Sequence, residues 1–331
     1  RKVYAMVSNI DDNIGKLLQK ITDLGIEENT IVIFMTDNGP QQLRYTAGMR
    51  DKKGSVYNGG TRVPFFLKYP ALSKESKVIE TMSAHFDVLP TLSELCHVDL
   101  PKDRKIDGKS LVPLIKGKKV DWSNRAMFSY WTRKYPELYN SIAIQKAEYK
   151  LVGQTNYNAS IEDFELYHLK NDPEELHNIV KENKAIALKL KAELDLIYQD
   201  LIRSKNLINP PKIIVGTKKE NPLTLNRNDA DGSRGLWDQE AIFGKWNVNI
   251  LKGRYNFRFK FINPIAANGD MYLETNTIIN QMKNDQHTDV IEMKNVSLPE
   301  INGELIPYYL TKGKMILPFS VEIEKLDLNS H

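Results

Sequence analysis

The chain has 331 residues, 41% of them hydrophobic and 27% charged, with a formal net charge of +4. That composition excludes a disordered or fibrous chain, and so mild a positive excess gives no ground for nucleic-acid binding. A single cysteine, Cys96, excludes an intrachain disulfide, and no apolar run reaches the roughly 18 residues of a membrane span.

Val3, Met6, Val7, Ile10, Ile14, Leu17, Leu18 and Ile21 recur at helical spacing and predict an amphipathic helix from Val3 to Leu24, stopped by Gly25. After the link IEENT comes IVIFM, residues 31–35. An apolar run without alternation predicts a parallel strand buried on both faces, and helix, link and strand together read as half of a βαβ unit. A second run, VPFFLKYP from Val63, is predicted as the next strand. The polar, glycine-rich segment between the two is long enough to mark a functional loop rather than a simple connection. HFDVLPTLSELC reads as a turn into another helix, with Pro90 near its first turn. The opening residues, RKVYAMVSNIDDNIGKLL, read as domain interior and show no signal peptide. Two parallel strands make too small a core, so the α/β domain is expected to be incomplete here, with the rest of its sheet on a segment outside this chain.

From Arg125 the pattern changes. RAMFSYW, NSIAIQKAEYKLVG and DFELYHL are short strand-like runs of a small antiparallel sheet. NKAIALKLKAELDLIYQDLI is a long amphipathic helix, with Ile186, Leu188, Leu190, Leu194, Leu196 and Ile197 among its apolar residues. INPPKIIVGTKKENP reads as a linker. Beyond it, GKWNVNI, GRYNFRFKFI, GDMYLETNTI, DVIEMKNVSL, GELIPYYLTKG and KMILPFSVEIEKL are regularly spaced strands, as in a β-sandwich.

The strand at 31–35 ends in Asp37-Asn38-Gly39-Pro40. Ligands of open α/β sheets bind beyond the carboxyl ends of strands. There Asp37 and Asn38 present two hard oxygens, suited to Ca²⁺ or Mg²⁺. The same tetrapeptide is also good Asx-turn chemistry, and taken alone it leaves both readings open.

The next segment, RDKKGSVYNGGTRVPFF, resembles a signature of the type I, formylglycine-dependent sulfatases of the alkaline-phosphatase superfamily. The matching residues are Asp37-Asn38-Gly39, Lys53-Gly54-Ser55, Tyr57-Asn58-Gly59-Gly60 and Arg62-Val63-Pro64. YAMVSNIDDNIGKLL, AHFDVLPTLSELC, KIDGKSLVPLIKG and FELYHLKNDPEELHNIV resemble further family segments in the family's order, and WDQEAIFGKWNVNILKGRYNFRF resembles a C-terminal module of some arylsulfatases. The resemblance implies that Asp37 and Asn38 are half of a divalent-cation site, with Ca²⁺ the usual ion and Mg²⁺ the alternative. It implies that Lys53 contacts the substrate sulfate, with Lys52 one residue out of register, and that Arg62 bridges loop and strand or touches substrate. Asn58 departs from the pattern, which has Glu there. No C/S-x-P-S-R nucleophile motif occurs in these residues. Cys96 reads as a small core residue, and Asp11 and Asp12 as a solvated helix face. His85 is expected to make a structural hydrogen bond; His168 and His177 read as surface or packing residues. Tyr130, Trp131 and Tyr135 belong either to a substrate rim or to a subdomain interface.

The expected fold is α/β: a partial alkaline-phosphatase-like sheet with helices (1–124), a small antiparallel α+β subdomain (125–208), a linker (209–225) and a β-sandwich-like module (226–331). The expected function is hydrolysis of a sulfate ester on a small molecule or glycan. The formylglycine nucleophile is expected outside the chain, which by itself is expected to be inactive. The alternatives are a phosphoesterase or phosphonate-ester hydrolase of the same superfamily, or a non-catalytic carbohydrate-binding fragment using Trp237 and Trp246. A periplasmic or secreted setting follows from the resemblance.

Overall fold

The computed structural model describes residues 2–43, 45–132, 135–233 and 236–326. The chain divides into two units, 1–208 and 209–331.

The first unit opens with helix α1 (Lys2–Asp23), at the place its apolar period predicts. Gly25, at φ +66°, ends it: its N–H bonds to Thr22 O while Ile26 N–H returns to Ile21 O. No residue of α1 is buried, and Met6, Val7, Ile10 and Leu17 are exposed. Strand β1 (Val32–Met35) corrects the sequence reading. It pairs antiparallel with β2 (Phe65–Lys68), Val32 opposite Lys68 and Met35 opposite Phe65. Phe34 and Met35 are exposed, so the strand is not buried on both faces. A run of apolar residues reports hydrophobicity but not strand direction. The segment between the strands returns through a single helical turn, α2 (Asn58–Thr61), rather than a long covering crossover.

Helix α3 (Val88–Leu95) and the turn α4 (Val112–Ile115) follow. Asp87 ties them together. Its carboxylate accepts from Ala84 N and Lys109 N and is paired with the buried Arg125 guanidinium. Thr91 Oγ1 donates to Asp87 O and accepts from Leu111 N. Cys96 also corrects the sequence reading: it caps the C-terminal end of α3 and is exposed, because a helix end projects past the face that the apolar residues bury.

Strands β3 (Ala126–Tyr130), β4 (Ile142–Lys146), β5 (Tyr149–Gly153) and β6 (Glu165–His168) form an antiparallel sheet in that order. Their period of two assigns residues to faces. Ile142, Ile144, Leu151 and Leu166 share a core with Ala187, Leu190, Leu194 and Tyr198 of α5 (Lys184–Leu201), whose spacing places them on one helical stripe. Ala143, Val152 and Tyr167 lie on the opposite face and pack against Val56 and Tyr57 from the segment before α2. A chain segment thus covers the second face where a helix covers the first.

The second unit is a sandwich of two sheets around one core. One sheet runs β13 (Ile279–Asn284), β12 (Gly269–Thr275), β15 (Ile301–Thr311), β10 (Gly244–Ile250), β7 (Ile213–Val215), with β16 (Lys314–Ile316) on β15 and β9 (Asp231–Gly232) on β10. The other runs β14 (Thr288–Leu298), β11 (Gly253–Ile265), β17 (Ser320–Lys325), β8 (Leu223–Asn226). Strict alternation along β11 and β12 places Tyr255, Phe257, Phe259, Met271 and Leu273 in the core with Trp246. Strand β7 and all but the last residue of β8 fall within the stretch read as a linker, and both pair into these sheets. Trp246 is fully buried and bonds Asn226 O, so it offers no surface to a carbohydrate; Trp237 is half-exposed.

Candidate functional site

The chain brings the end of β1 and the loop before β2 together through glycine backbone. Gly39 N–H donates to Gly60 O at 2.9 Å, and Lys53 N–H donates to Pro40 O at 2.9 Å. A Cβ on Gly39 would lie 1.8 Å from Gly59 O, so only glycine permits this approach. Asp37-Asn38 and Lys53 are therefore carried by two segments joined on both sides of a short backbone contact. His85 adds a third hold: its Nε2 lies 2.7 Å from Thr36 O, the residue before Asp37. That is the structural bond expected of it.

The loop is fixed from below by the sheet. Alternation places Glu165 and Tyr167 of β6 and Lys150 of β5 on the face that meets it. Glu165 Oε2 accepts from Tyr57 OH (2.6 Å), Tyr167 OH (2.6 Å) and Arg50 Nη1 (3.1 Å), and the Arg50 guanidinium lies over the Tyr57 ring at 3.9 Å. Burial, and then the bond to Glu165, pushes both phenols well above the ordinary tyrosine range. Beside this network runs a second. Lys150 Nζ is 2.7 Å from Glu175 Oε1 and 3.1 Å from Asn58 Oδ1; Asn58 N–H donates to Glu175 Oε2 at 2.5 Å, and Asn58 Nδ2 donates to Pro173 O at 2.9 Å. The side chains of Lys150 and Glu175 are 3% and 0% exposed. Burial holds the lysine below its usual range, and Glu175 opposes that shift.

Sequence reasoning missed Arg50, Lys150, Glu165 and Glu175 as supports of this loop. One signal was available: the alternation in FELYHL places Glu165 and Tyr167 on the face away from Leu166. The resemblance assigned position 58 to an acidic anchor, and the structure shows Asn58 instead bridging an acid and a base supplied by other segments.

At the surface of this assembly Asp37, Lys53 and Arg62 are exposed and Asn38 is half-buried. The side chains of Lys53 and Arg62 have no hydrogen bond or ion pair among the described residues, so both charges are available to an anion. Asp37 Oδ1 accepts from Asn38 N, and Asn38 Nδ2 donates to Gly39 O at 2.8 Å. These bonds belong to an Asx-type turn, so the two readings of the tetrapeptide are compatible. The amide donor is committed to the backbone, and a cation would meet the oxygen. Two hard oxygens suit Ca²⁺ or Mg²⁺ chemically, but Ca²⁺ takes roughly six to eight oxygens. Among the described residues no cluster of three or more His, Cys, Asp or Glu could hold a metal.

Trp131 is 45% exposed, and its indole lies against Gly54, where an added Cβ would be 3.3 Å from the ring. Tyr135 instead reaches Ile202 O past the end of α5, and Tyr130 contacts Phe128 on the α5 face. His168 packs edge-on against Tyr149, and His177 is a surface residue beside Asp172. Asp11 and Asp12 are exposed on α1.

Residues 47–201, just under half of the chain, match the family model described as N-sulphoglucosamine sulphohydrolase, C-terminal. The chain is 32% identical over 214 residues to a sulfatase from Formosa agariphila, covering 57% of this chain and 38% of that protein. It is 30% identical over 206 residues to an N-acetylglucosamine-6-O-sulfatase from Bacteroides thetaiotaomicron, covering 60% and 35% respectively. By these matches the chain is similar to the C-terminal part of sulfatases. It spans between a third and two-fifths of the length of these curated relatives. The crystal structure of Ps i-CgsB matches this chain with a TM-score of 0.51 at 24% identity, over 59% of this chain and 42% of that one, which shows a shared fold. No helix among the described residues is long and apolar enough to cross a membrane.

Proposed function

We propose that this chain provides the cation-holding and sulfate-holding side of a sulfuric ester hydrolase. The observation that carries the reading is the contact of Gly39 with Gly60, because it unites a hard-oxygen pair with Lys53 and Arg62, neither of whose side chains is paired among the described residues. The names of the curated relatives support the same reaction.

In this reading Asp37 and Asn38 contribute two ligands to a Ca²⁺ ion, with Mg²⁺ the alternative. The ion supplies Lewis-acid polarisation of a sulfate oxygen when bound. Lys53 presents a flexible ammonium to another sulfate oxygen and stabilises negative charge there as the ester bond breaks. Arg62, at the C-terminal end of α2, adds a second positive charge on the same loop. Thr36, the residue before Asp37, is held in place by His85, and the loop by the sheet beneath it, so these groups need little reorganisation when substrate arrives. The nucleophile, a formylglycine, is assigned to a part of the full-length protein outside these residues. The substrate class is a sulfated small molecule or glycan.

The test is release of sulfate from sulfated hexosamines by the full-length protein. Lys53→Ala is expected to lower kcat/KM by about a hundredfold or more, the scale of removing one group that stabilises developing charge. Asp37→Ala is expected to weaken Ca²⁺ binding, read by calorimetry. Unchanged turnover in the Lys53→Ala protein, or release of phosphate but not sulfate by the wild type, refutes the assignment.

A further inference from the structure

Two adjacent lysines, Lys52 and Lys53, lie between two left-handed residues, Asp51 at φ +67° and Gly54 at φ +82°. A glycine enters that region freely. Among residues with a side chain, aspartate and asparagine enter it at modest cost, and β-branched residues almost never do. The Asp51 carboxylate makes no hydrogen bond or ion pair among the described residues, so no side-chain bond draws the residue there. The backbone on either side does. Before Asp51, Arg50 is tied to the sheet by Glu165, and its carbonyl accepts from Gly59 N–H at 2.7 Å. After it, Lys53 N–H donates to Pro40 O at 2.9 Å. Between these two holds the turn lies tight on the Gly59-Gly60 backbone: a Cβ on Gly59 would be 2.2 Å from Asp51 O, and one on Gly60 would be 2.6 Å from Lys52 O. With both ends fixed, the dihedral angles at Asp51 decide where the next two side chains go. They divide the lysines. Lys52 is half-buried with its carbonyl against Gly60, whereas Lys53 is exposed beside the Asp37-Asn38 segment.

We propose that Asp51 is a positioning residue, whose left-handed backbone phases the turn so that Lys53, and not Lys52, presents its ammonium to the sulfate of the substrate. The proposal rests on the sulfatase reading and adds what selects between two neighbouring cations. A strained conformation persists only where the surroundings over-determine it, and here they do so from both sides, through the sheet at Arg50 and the strand end at Pro40. A residue confined to negative φ at position 51 would rotate one hold against the other. The bonds to Gly59 and to Pro40 could then not both be kept, and Lys53 would leave the side of Asp37. The role belongs to the backbone and not to the charge, so asparagine should replace Asp51 and valine should not.

The experiment measures binding of inorganic sulfate by calorimetry, and kcat/KM on N-acetylglucosamine 6-sulfate, for full-length wild type, Asp51→Asn, Asp51→Val, Lys52→Ala, Lys53→Ala and Asp51→Val/Lys53→Ala. Both substitutions at 51 remove the charge, so the difference between them reads the backbone alone. Asp51→Val is expected to raise the Kd for sulfate about tenfold, the scale of one lost charge-assisted hydrogen bond, and to match Lys53→Ala. Asp51→Asn and Lys52→Ala are expected to stay within about twofold of the wild type, and the double variant within about twofold of Lys53→Ala, because the turn acts through that lysine. An Asp51→Val protein that binds sulfate as the wild type does overturns the proposal. So does an Asp51→Asn protein as impaired as Asp51→Val, which would assign the effect to the carboxylate. A further large loss in the double variant overturns it as well, since that pattern belongs to general damage of the loop, and so does a Lys52→Ala loss equal to that of Lys53→Ala. The expected binding pattern in a protein that releases no sulfate from any ester upholds the selection of Lys53 for an anion and refutes the sulfatase reading.

Discussion

Replacing Lys150 with methionine isolates the support under the loop that carries Lys53. In the wild type the ammonium is 2.7 Å from Glu175 and 3.1 Å from the Asn58 amide oxygen, and almost no water reaches either charge. Methionine keeps the chain length and apolar volume but leaves the Glu175 carboxylate buried beside only the Asn58 N–H. Breaking one side of such a pair costs about 3–5 kcal/mol, because the remaining charge is uncompensated. The double variant Lys150→Met/Glu175→Gln removes both charges, and the amide oxygen of the introduced glutamine still accepts from Asn58 N–H. It is therefore expected to recover most of that loss. The assay is urea unfolding followed by tryptophan fluorescence, where a loss of about 3 kcal/mol moves the midpoint by about 1–1.5 M for an m-value of roughly 2–3 kcal/mol/M. A Lys150→Met midpoint within experimental error of the wild type would refute the claim that this pair anchors the loop. So would a double variant as damaged as the single one.

Gly39→Ala drives a Cβ into Gly59 O and separates the two segments of the site; a loss of about 1–3 kcal/mol is expected, with sulfate release falling further than unfolding free energy, both measured on the same preparation. Asn58→Asp places a carboxylate against Pro173 O and makes it share Lys150 with Glu175. The new acid should titrate above the ordinary range, so the variant's deficit in thermal midpoint should shrink on acidification; a deficit that grows toward low pH contradicts the geometry. Tyr57 and Tyr167 have folded-state pKa values raised above the ordinary tyrosine value of 10.0, by burial and then by Glu165. Groups raised in this way contribute stability that is fully present below about pH 10 and lost as pH rises beyond it, where the unfolded phenols ionise first. Unfolding free energy measured from about pH 8 to pH 11 should thus begin to fall near pH 10, and less steeply in Glu165→Gln.

The parts of the fold written as local periodicity were legible. Leu190 and Leu194 of α5 and the alternate residues of β10, β11, β12 and β15 lie where their patterns place them, because each pattern reports the one face that is buried, whereas Leu188 and Leu196, also read as part of the apolar set of α5, fall off that stripe and are exposed. Strand β1 shows the limit of that signal. IVIFM states that its residues are apolar, while direction and cover depend on what the chain does between Asp37 and Val63. Cys96 fails for a related reason: composition around a residue does not say whether it ends a helix. The site divides in the same way. Asp37, Asn38, Lys53 and Arg62 could be chosen from a motif within one short stretch, but their supports could not. Arg50 and Glu165 are 115 residues apart in sequence, and Asn58 and Glu175 are 117. Nothing local in either segment names its partner.

One physical feature links the legible part to the illegible one, and that is strand register. In β6, Leu166 enters the core under α5 while Glu165 and Tyr167 point to the loop. In β5, Leu151 and Lys150 divide the same way. A slip of one residue would expose Leu166 to the loop and bury Glu165 against α5, so the hydrophobic demand of one face fixes the polar anchors of the other. Selection for a well-packed α5 core thereby holds Glu165, Tyr167 and Lys150 in place without any contact to substrate. The same register, continued two residues past Ser129, turns Trp131 toward Gly54. A core substitution under α5 that loosened β3 against β4 should therefore disturb the packing of Trp131 on Gly54, next to Lys53, before it disturbs the Asp37–Asn38 turn, which is held from the other side by Gly60 and His85.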